Sequence, residues 1–256
     1  MPLIYFSWPR NLPSDMPSGE KNINGDAMKT LGLIGGTSWT STVEYYRFIN
    51  EEVGRRRGGL HSAKLLLASI DFAELEEAMR NNKPHMAERI LLHAAGQLTR
   101  ACVDGIMLCS NLIHRYYPAL EAAVNIPILH ICDALSAGIT RQQYRKVALL
   151  GTRATMEEDF YRSRILEQCG VDIIVPDEQD RAYIHTAIFE RMCRNIYTNE
   201  DRIRISGMID SLKEQGAQGV MLSCTELPVL LSEASLPLLD STRIHSHYAV
   251  AWALGA

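Results

Sequence analysis

CVDGIMLCSNL at residues 102–112 and AQGVMLSCTEL at 217–227 are two versions of one stretch, and their repetition decides the fold. Each is a short apolar run that ends in a cluster of Cys, Ser or Thr. This is the pattern of a strand buried on both faces that runs into a polar loop. A second pair, KTLGLIGGTS at 29–38 and KVALLGTRAT at 146–155, recurs in the same order. Lys29 matches Lys146 and Gly105 matches Gly219, at offsets of 117 and 114 residues. Offsets this similar predict two α/β halves related by a pseudo-twofold axis. Ligands of such sheets bind at the carboxyl ends of the strands, so the expected site lies between the halves, where the polar clusters sit.

Working outward, short apolar runs at 30–35, 63–70, 105–109, 127–131, 146–151, 171–175, 219–223 and 236–239 alternate with helical patterns. That alternation predicts parallel sheets covered by helices. Helix starts are expected at Ser41 or Thr42 and at Thr155, with Glu158 three residues on and Gly170 closing the second helix. Residues 1–28, rich in Pro, Ser, Asn and Gly, read as a disordered extension.

The composition excludes several classes. Of 256 residues, 46% are hydrophobic and 22% charged, too apolar for a disordered chain. A net charge of −4 argues against a nucleic-acid partner, and the Arg55, Arg56, Arg57 cluster reads as a solvated helix end. No run reaches the roughly 20 apolar residues of a membrane helix, so no membrane partner is expected. The N-terminus is broken by Pro9, Pro13 and Pro17 and lacks the basic start of a signal peptide. Six cysteines without a C-x-x-C pair or zinc-like histidine spacing predict reduced thiols in the cytoplasm, and no metal.

The matched clusters single out particular residues. Leu108 pairs with Leu222, Cys109 with Ser223, and Ser110 with Cys224. Cys224, at a strand end beside Thr225 and Glu226, is placed to be held partly exposed near backbone donors that stabilise a thiolate. Cys109, one residue before Ser110, should face the opposite side of its strand. Cys102, Cys132, Cys169 and Cys193 lie in helical or apolar patterns and read as core. GGTSWTST at 35–42 lacks the lysine of a phosphate loop, but its amides and the Thr37 and Ser38 hydroxyls could hold a carboxylate; helix capping is the other reading of Ser38. His61 and His114 are candidates for supporting roles.

Together KTLGLIGGTSWTSTVEYYRFIN, GGLHSAKLLLASIDF, GIMLCSNLIH, LLGTRATMEEDFYRSRI and GVMLSCTEL resemble the aspartate/glutamate racemase family over residues 28–256. The resemblance implies two pseudosymmetric α/β domains, here 29–127 plus 239–256 and 128–238, with the active site in the cleft. It also implies a cofactor-independent, two-base racemisation of a small amino acid, in a protein that is often a homodimer. The family's second motif, C-T-E, is intact as Cys224-Thr225-Glu226. In its first, C-N-T-x-H, Asn111 and His114 match, but Ser110 replaces the cysteine and Leu112 the threonine.

A thiol can be tuned to a thiolate near neutrality and an aliphatic hydroxyl cannot, so the resemblance casts Cys224 as base and Ser110 as opposite-face proton donor or relay. A hydroxyl-bearing subgroup of the family acts on L-aspartate and L-glutamate, which implies the same preference here. Substrate contacts are expected from Thr37, Ser38, Met79, Asn111, Leu112, Thr225 and Glu226. Met79 stands where the subgroup tends to have a glutamine, which leaves a neutral amino acid open as substrate. Two other readings stay open: a one-cysteine sister enzyme of the malonate decarboxylase or maleate isomerase type, and a catalytically silent amino-acid-binding protein.

Overall fold

The computed structural model describes residues 28–255. The expected extension therefore lies outside the described residues except for Met28, which packs against the core. The eight strands are β1 (Leu31–Gly35), β2 (Leu65–Ser69), β3 (Gly105–Leu108), β4 (Ile128–Leu129), β5 (Lys146–Gly151), β6 (Asp172–Ile174), β7 (Val220–Ser223) and β8 (Leu238–Asp240). They form two parallel four-stranded sheets flanked by helices, ordered β2-β1-β3-β4 and β6-β5-β7-β8. The second order repeats the first, as the internal repeat requires. β1, β3 and β7 are buried along their whole length, which explains their unbroken apolar sequence.

Strand register refines the repeat. Leu33 lies opposite Met107 in the first sheet, and Leu149 opposite Met221 in the second. With Met107 and Met221 equivalent, Leu33 corresponds to Leu149 and Gly35 to Gly151, one residue short of the offset read from the N-terminal strings. Gly105 and Gly219 are equivalent for a physical reason. A Cβ at Gly105 would stand 2.6 Å from the Trp252 ring, and one at Gly219 would stand 2.9 Å from the Tyr144 ring. Each sheet thus leaves a gap at the same place for an aromatic ring.

Two helix starts differ from expectation. The first helix begins at Trp39, with Ser38 in the cap position but without a side-chain capping bond. The later one begins at Arg153, capped by Thr152, whose hydroxyl accepts from the Thr155 amide. Glu158 then breaks the run in extended conformation, and a separate helix, Asp159–Cys169, ends at left-handed Gly170. In both places the helix starts two or three residues earlier than the spacing indicated.

The described residues group into two compact units. One holds the first sheet, up to Cys109 with 116–129 and 246–255; the other holds Ser110–Arg115 and His130–His245, with the second sheet. Among the described residues no helix is long and apolar enough to cross a membrane.

Gly105→Ala and Gly219→Ala should each destabilise the protein by about 1–3 kcal/mol, because the added methyl must displace a packed ring. Gly207→Ala, on a helix with nothing within 4 Å, should be neutral or stabilising. Urea unfolding midpoints check all three.

Candidate active site

Where β3 ends, the chain turns from core to site within two residues. Cys109 is fully buried among Leu31, Leu33 and Tyr45, and burial pushes its thiol far above the usual range. Ser110 is half-buried. Its carbonyl accepts from His114 Nδ1 at 2.8 Å, and His114 Nε2 accepts from the Ile131 amide at 3.2 Å. A carbonyl can only accept and an amide can only donate, so these two contacts fix the neutral tautomer with its proton on Nδ1. Burial beside His245 lowers the His114 pKa to about 3, with ring centroids 5.8 Å apart. His114 is therefore a neutral strut that ties Ser110 to the helix Ile131–Gln142. His61, in contrast, is exposed.

Asn111 is buried and held on both sides. Its Oδ1 accepts from the Tyr161 hydroxyl at 2.7 Å, and its Nδ2 donates to Ser241 Oγ at 3.0 Å. Ser241 Oγ donates to the Leu222 carbonyl at 2.8 Å. Tyr161 O lies 2.9 Å from Ser223 Oγ. The phenol has one proton, which goes to Asn111, so the serine hydroxyl donates to the phenol. The bonds run from Leu222 to Ser241, Asn111, Tyr161 and Ser223, returning to the strand where they began. Burial holds the phenol well above its ordinary pKa, so it remains a donor.

Cys224 follows Ser223 and is also buried. Its Sγ donates to Glu226 Oε2 at 3.0 Å, and Thr225 Oγ1 donates to the same oxygen at 2.7 Å. Burial first, and then the Glu226 charge, raise the thiol well above its usual pKa. The expected backbone donor is present, since the Glu226 backbone hydrogen bond favours the thiolate, but the thiol is buried rather than partly exposed and the carboxylate that accepts its proton outweighs that donor. Glu226 and Thr225 are thus engaged with the thiol and with each other.

All six cysteines are free. Cys132 is buried and Cys169 and Cys193 are half-buried; burial pushes Cys193 up to about 12. Cys102 corrects the core reading. It is exposed with φ of 58°, in the turn after the helix Pro84–Arg100, a left-handed position that ends helices.

The remaining expected contacts, Thr37, Ser38 and Met79, belong to the unit of the first sheet. Gly36 shapes the loop of Thr37 and Ser38: at φ of 96° a Cβ would stand 2.1 Å from the Ile70 carbonyl oxygen, so only glycine fits. Its amide donates to Thr42 Oγ1 at 2.9 Å. Thr37 is buried, and its hydroxyl has no hydrogen-bond partner among the described residues. Ser38 Oγ clusters with the hydroxyls of Thr40 at 2.7 Å and Ser41 at 3.2 Å. Met79 and Leu112 are half-buried. Arg80, beside Met79, is exposed and lies 3.6 Å from Glu76.

The structure therefore brings Asn111 and the Ser223-Cys224 dipeptide to one phenol, and Cys224, Thr225 and Glu226 to one carboxylate. Sequence reasoning missed Tyr161 and Ser241. Tyr161 lies within the quoted MEEDFYRSRI string, where helical spacing reads it as an ordinary core aromatic; Ser223 surfaced only as the counterpart of Cys109.

The profile of the family described as Asp/Glu/Hydantoin racemase matches residues 34–249. Among solved structures, a Yersinia pestis chain described as a candidate Asp/Glu racemase is 42% identical, covering 89% of this chain and all of that one, with a TM-score of 0.83. An aspartate racemase homologue from Pyrococcus horikoshii is 30% identical over 88% of this chain and 99% of its own, with a TM-score of 0.75. The broad specificity amino-acid racemase RacX of Bacillus subtilis is 24% identical over 160 residues, 60% of this chain and 67% of the relative. On the extent of these matches, the chain belongs to the Asp/Glu/hydantoin racemase family.

Proposed function

We propose that this racemase acts on aspartate and/or glutamate with the L-isomer preferred, without a cofactor, using Cys224 as base and Ser110 as the opposite-face proton donor or relay. The observation that carries the reading is the Cys224 thiol hydrogen-bonded to the Glu226 carboxylate. A thiol raised above its usual range cannot ionise to solvent near neutrality; transfer of its proton to a carboxylate 3.0 Å away produces the thiolate inside the dyad. The thiolate then takes the α-proton of the L-substrate, and the Cα–H bond breaks to leave a carbanion stabilised by its carboxylate. Ser110 delivers a proton to the other face, and its hydroxyl is restored through solvent by the proton that Glu226 took from the thiol, so that Cys224, Glu226 and Ser110 all return to their starting protonation states. Glu226 serves in this scheme as proton acceptor for the thiol rather than as a substrate contact. Because enantiomers are equal in free energy, any L-preference resides in the kinetic constants.

Substrate-binding roles are assigned within each unit separately: to Ser38 and the Thr37 hydroxyl, which has no hydrogen-bond partner among the described residues, and to Asn111 and Thr225. Met79 and Leu112 are assigned to the apolar lining. A second reading, a neutral amino-acid substrate, is favoured by Met79, whose thioether cannot donate to a distal carboxylate, and by the likeness to a broad-specificity relative.

The reading extends to a homodimer in a reducing, cytoplasmic setting, supported by six free thiols and by an exposed stripe of Trp39, Val43 and Tyr46 on one helix. Sedimentation should show a dimer that Val43→Asp converts to monomer; a wild-type monomer would overturn the assembly.

Racemisation followed by circular dichroism tests the chemistry. Cys224→Ser should lose on the order of 10²–10⁴-fold in rate, and Ser110→Cys should speed turnover of D-substrates. A fully active Cys224→Ser protein overturns the mechanism. In Glu226→Gln only thiol ionised to solvent can react, so its kcat/KM should fall and then climb about tenfold per pH unit through neutrality, where the wild type stays comparatively flat.

A further inference from the structure

We propose that Tyr161 is a positioning residue that sets the separation of the two proton-transfer groups, through the closed hydrogen-bonded ring it completes with Asn111, Ser241 and Ser223. The inference rests on the reading of Ser110 and Cys224 as the opposed donor and base. The two residues that bond to the phenol are the immediate chain neighbours of those groups: Asn111 follows Ser110, and Ser223 precedes Cys224. The ring also closes on the strand itself, since Ser241 grips the Leu222 carbonyl while Tyr161 grips the Ser223 hydroxyl.

Asn111 cannot rotate without breaking bonds on both sides of its amide. All four side chains of the ring are buried, so a lost partner is not replaced by bulk water. The Tyr161 backbone is anchored in turn, with its carbonyl accepting from Cys132 Sγ at 3.7 Å. The residue in the sequence position matched to Ser223 is Cys109, buried in apolar surroundings. The hydroxyl beside Cys224 therefore belongs to this ring and not to the shared plan of the two halves.

A two-base reaction is sensitive to this geometry. Abstraction needs only Cys224 against the α-hydrogen, whereas inversion also needs the Ser110 donor correctly spaced on the far face. Loosening the ring should then spare the first step more than the second.

The experiment follows an L-amino acid in D₂O, measuring deuterium entry at Cα by NMR and inversion by chiral chromatography, for wild type and Tyr161→Phe. Phenylalanine keeps the ring packing and removes only the hydroxyl. The expected result is exchange with little change in KM, and a fall of about tenfold to a hundredfold in the ratio of inversion to exchange. An unchanged ratio overturns the positioning role and leaves the two-base reading standing. Absence of exchange in the wild type, with acidic and neutral substrates alike, overturns both. Should Tyr161→Phe fail to fold, Ser223→Ala opens the same ring from its other side, and the same ratio decides.

Discussion

The ring of hydrogen bonds through Asn111, Tyr161, Ser223 and Ser241 is the constraint on which the site depends. Side chains from four separate segments meet in an environment without bulk water, and each polar atom that is buried there must find a partner inside. A fully satisfied buried network is rigid, since breaking one bond leaves two groups unpaired. That rigidity reaches Ser110 from one end and Cys224 from the other. The His114 strut adds a second hold on Ser110, and it can do so because burial keeps its imidazole neutral across the range in which the enzyme would work.

Around this constraint the two sheets supply the strand ends. The repeated glycines at 105 and 219 open space for aromatic rings, and the continuous apolar strands bury both faces, so the chain delivers its polar clusters where each strand stops. The halves then diverge at the dipeptide that follows. In one, cysteine is buried and serine half-buried; in the other, the serine hydroxyl is drawn into the ring and the cysteine meets a carboxylate. The duplicated scaffold thereby presents two chemically unlike groups. This matches a reaction in which one face of the substrate needs a base and the other a donor.

Much of the fold is legible in the residues themselves. All eight strands lie on short apolar runs of the sequence; for β1, β3 and β7 the reason is burial along the whole strand, whereas β2 is apolar although largely exposed. The inward turn of Cys109, one residue before half-buried Ser110, followed from strand alternation. Local helix ends were harder to see: Thr152 takes the cap ahead of Thr155, Ser38 occupies the cap position without a side-chain bond, and Cys102 ends a helix in a left-handed turn that favours glycine. The ring was invisible for a different reason. Tyr161 and Asn111 are fifty residues apart, and Asn111 and Ser241 a hundred and thirty, so no local pattern records their meeting. The contact of Glu226 with the thiol was likewise hidden, since a spacing of two residues does not announce whether the two side chains touch.

The central claim is that one thiol starts the reaction and one hydroxyl completes it. The most direct measurement is Cα deuterium entry into L-aspartate and L-glutamate in D₂O, compared for Cys224→Ser and Ser110→Ala. The account predicts that deuterium entry falls on the order of 10²–10⁴-fold in Cys224→Ser, while Ser110→Ala continues to exchange the α-hydrogen of the L-isomer and returns it without inversion. Exchange that is undiminished by loss of Cys224, or that vanishes with Ser110 alone, would contradict it.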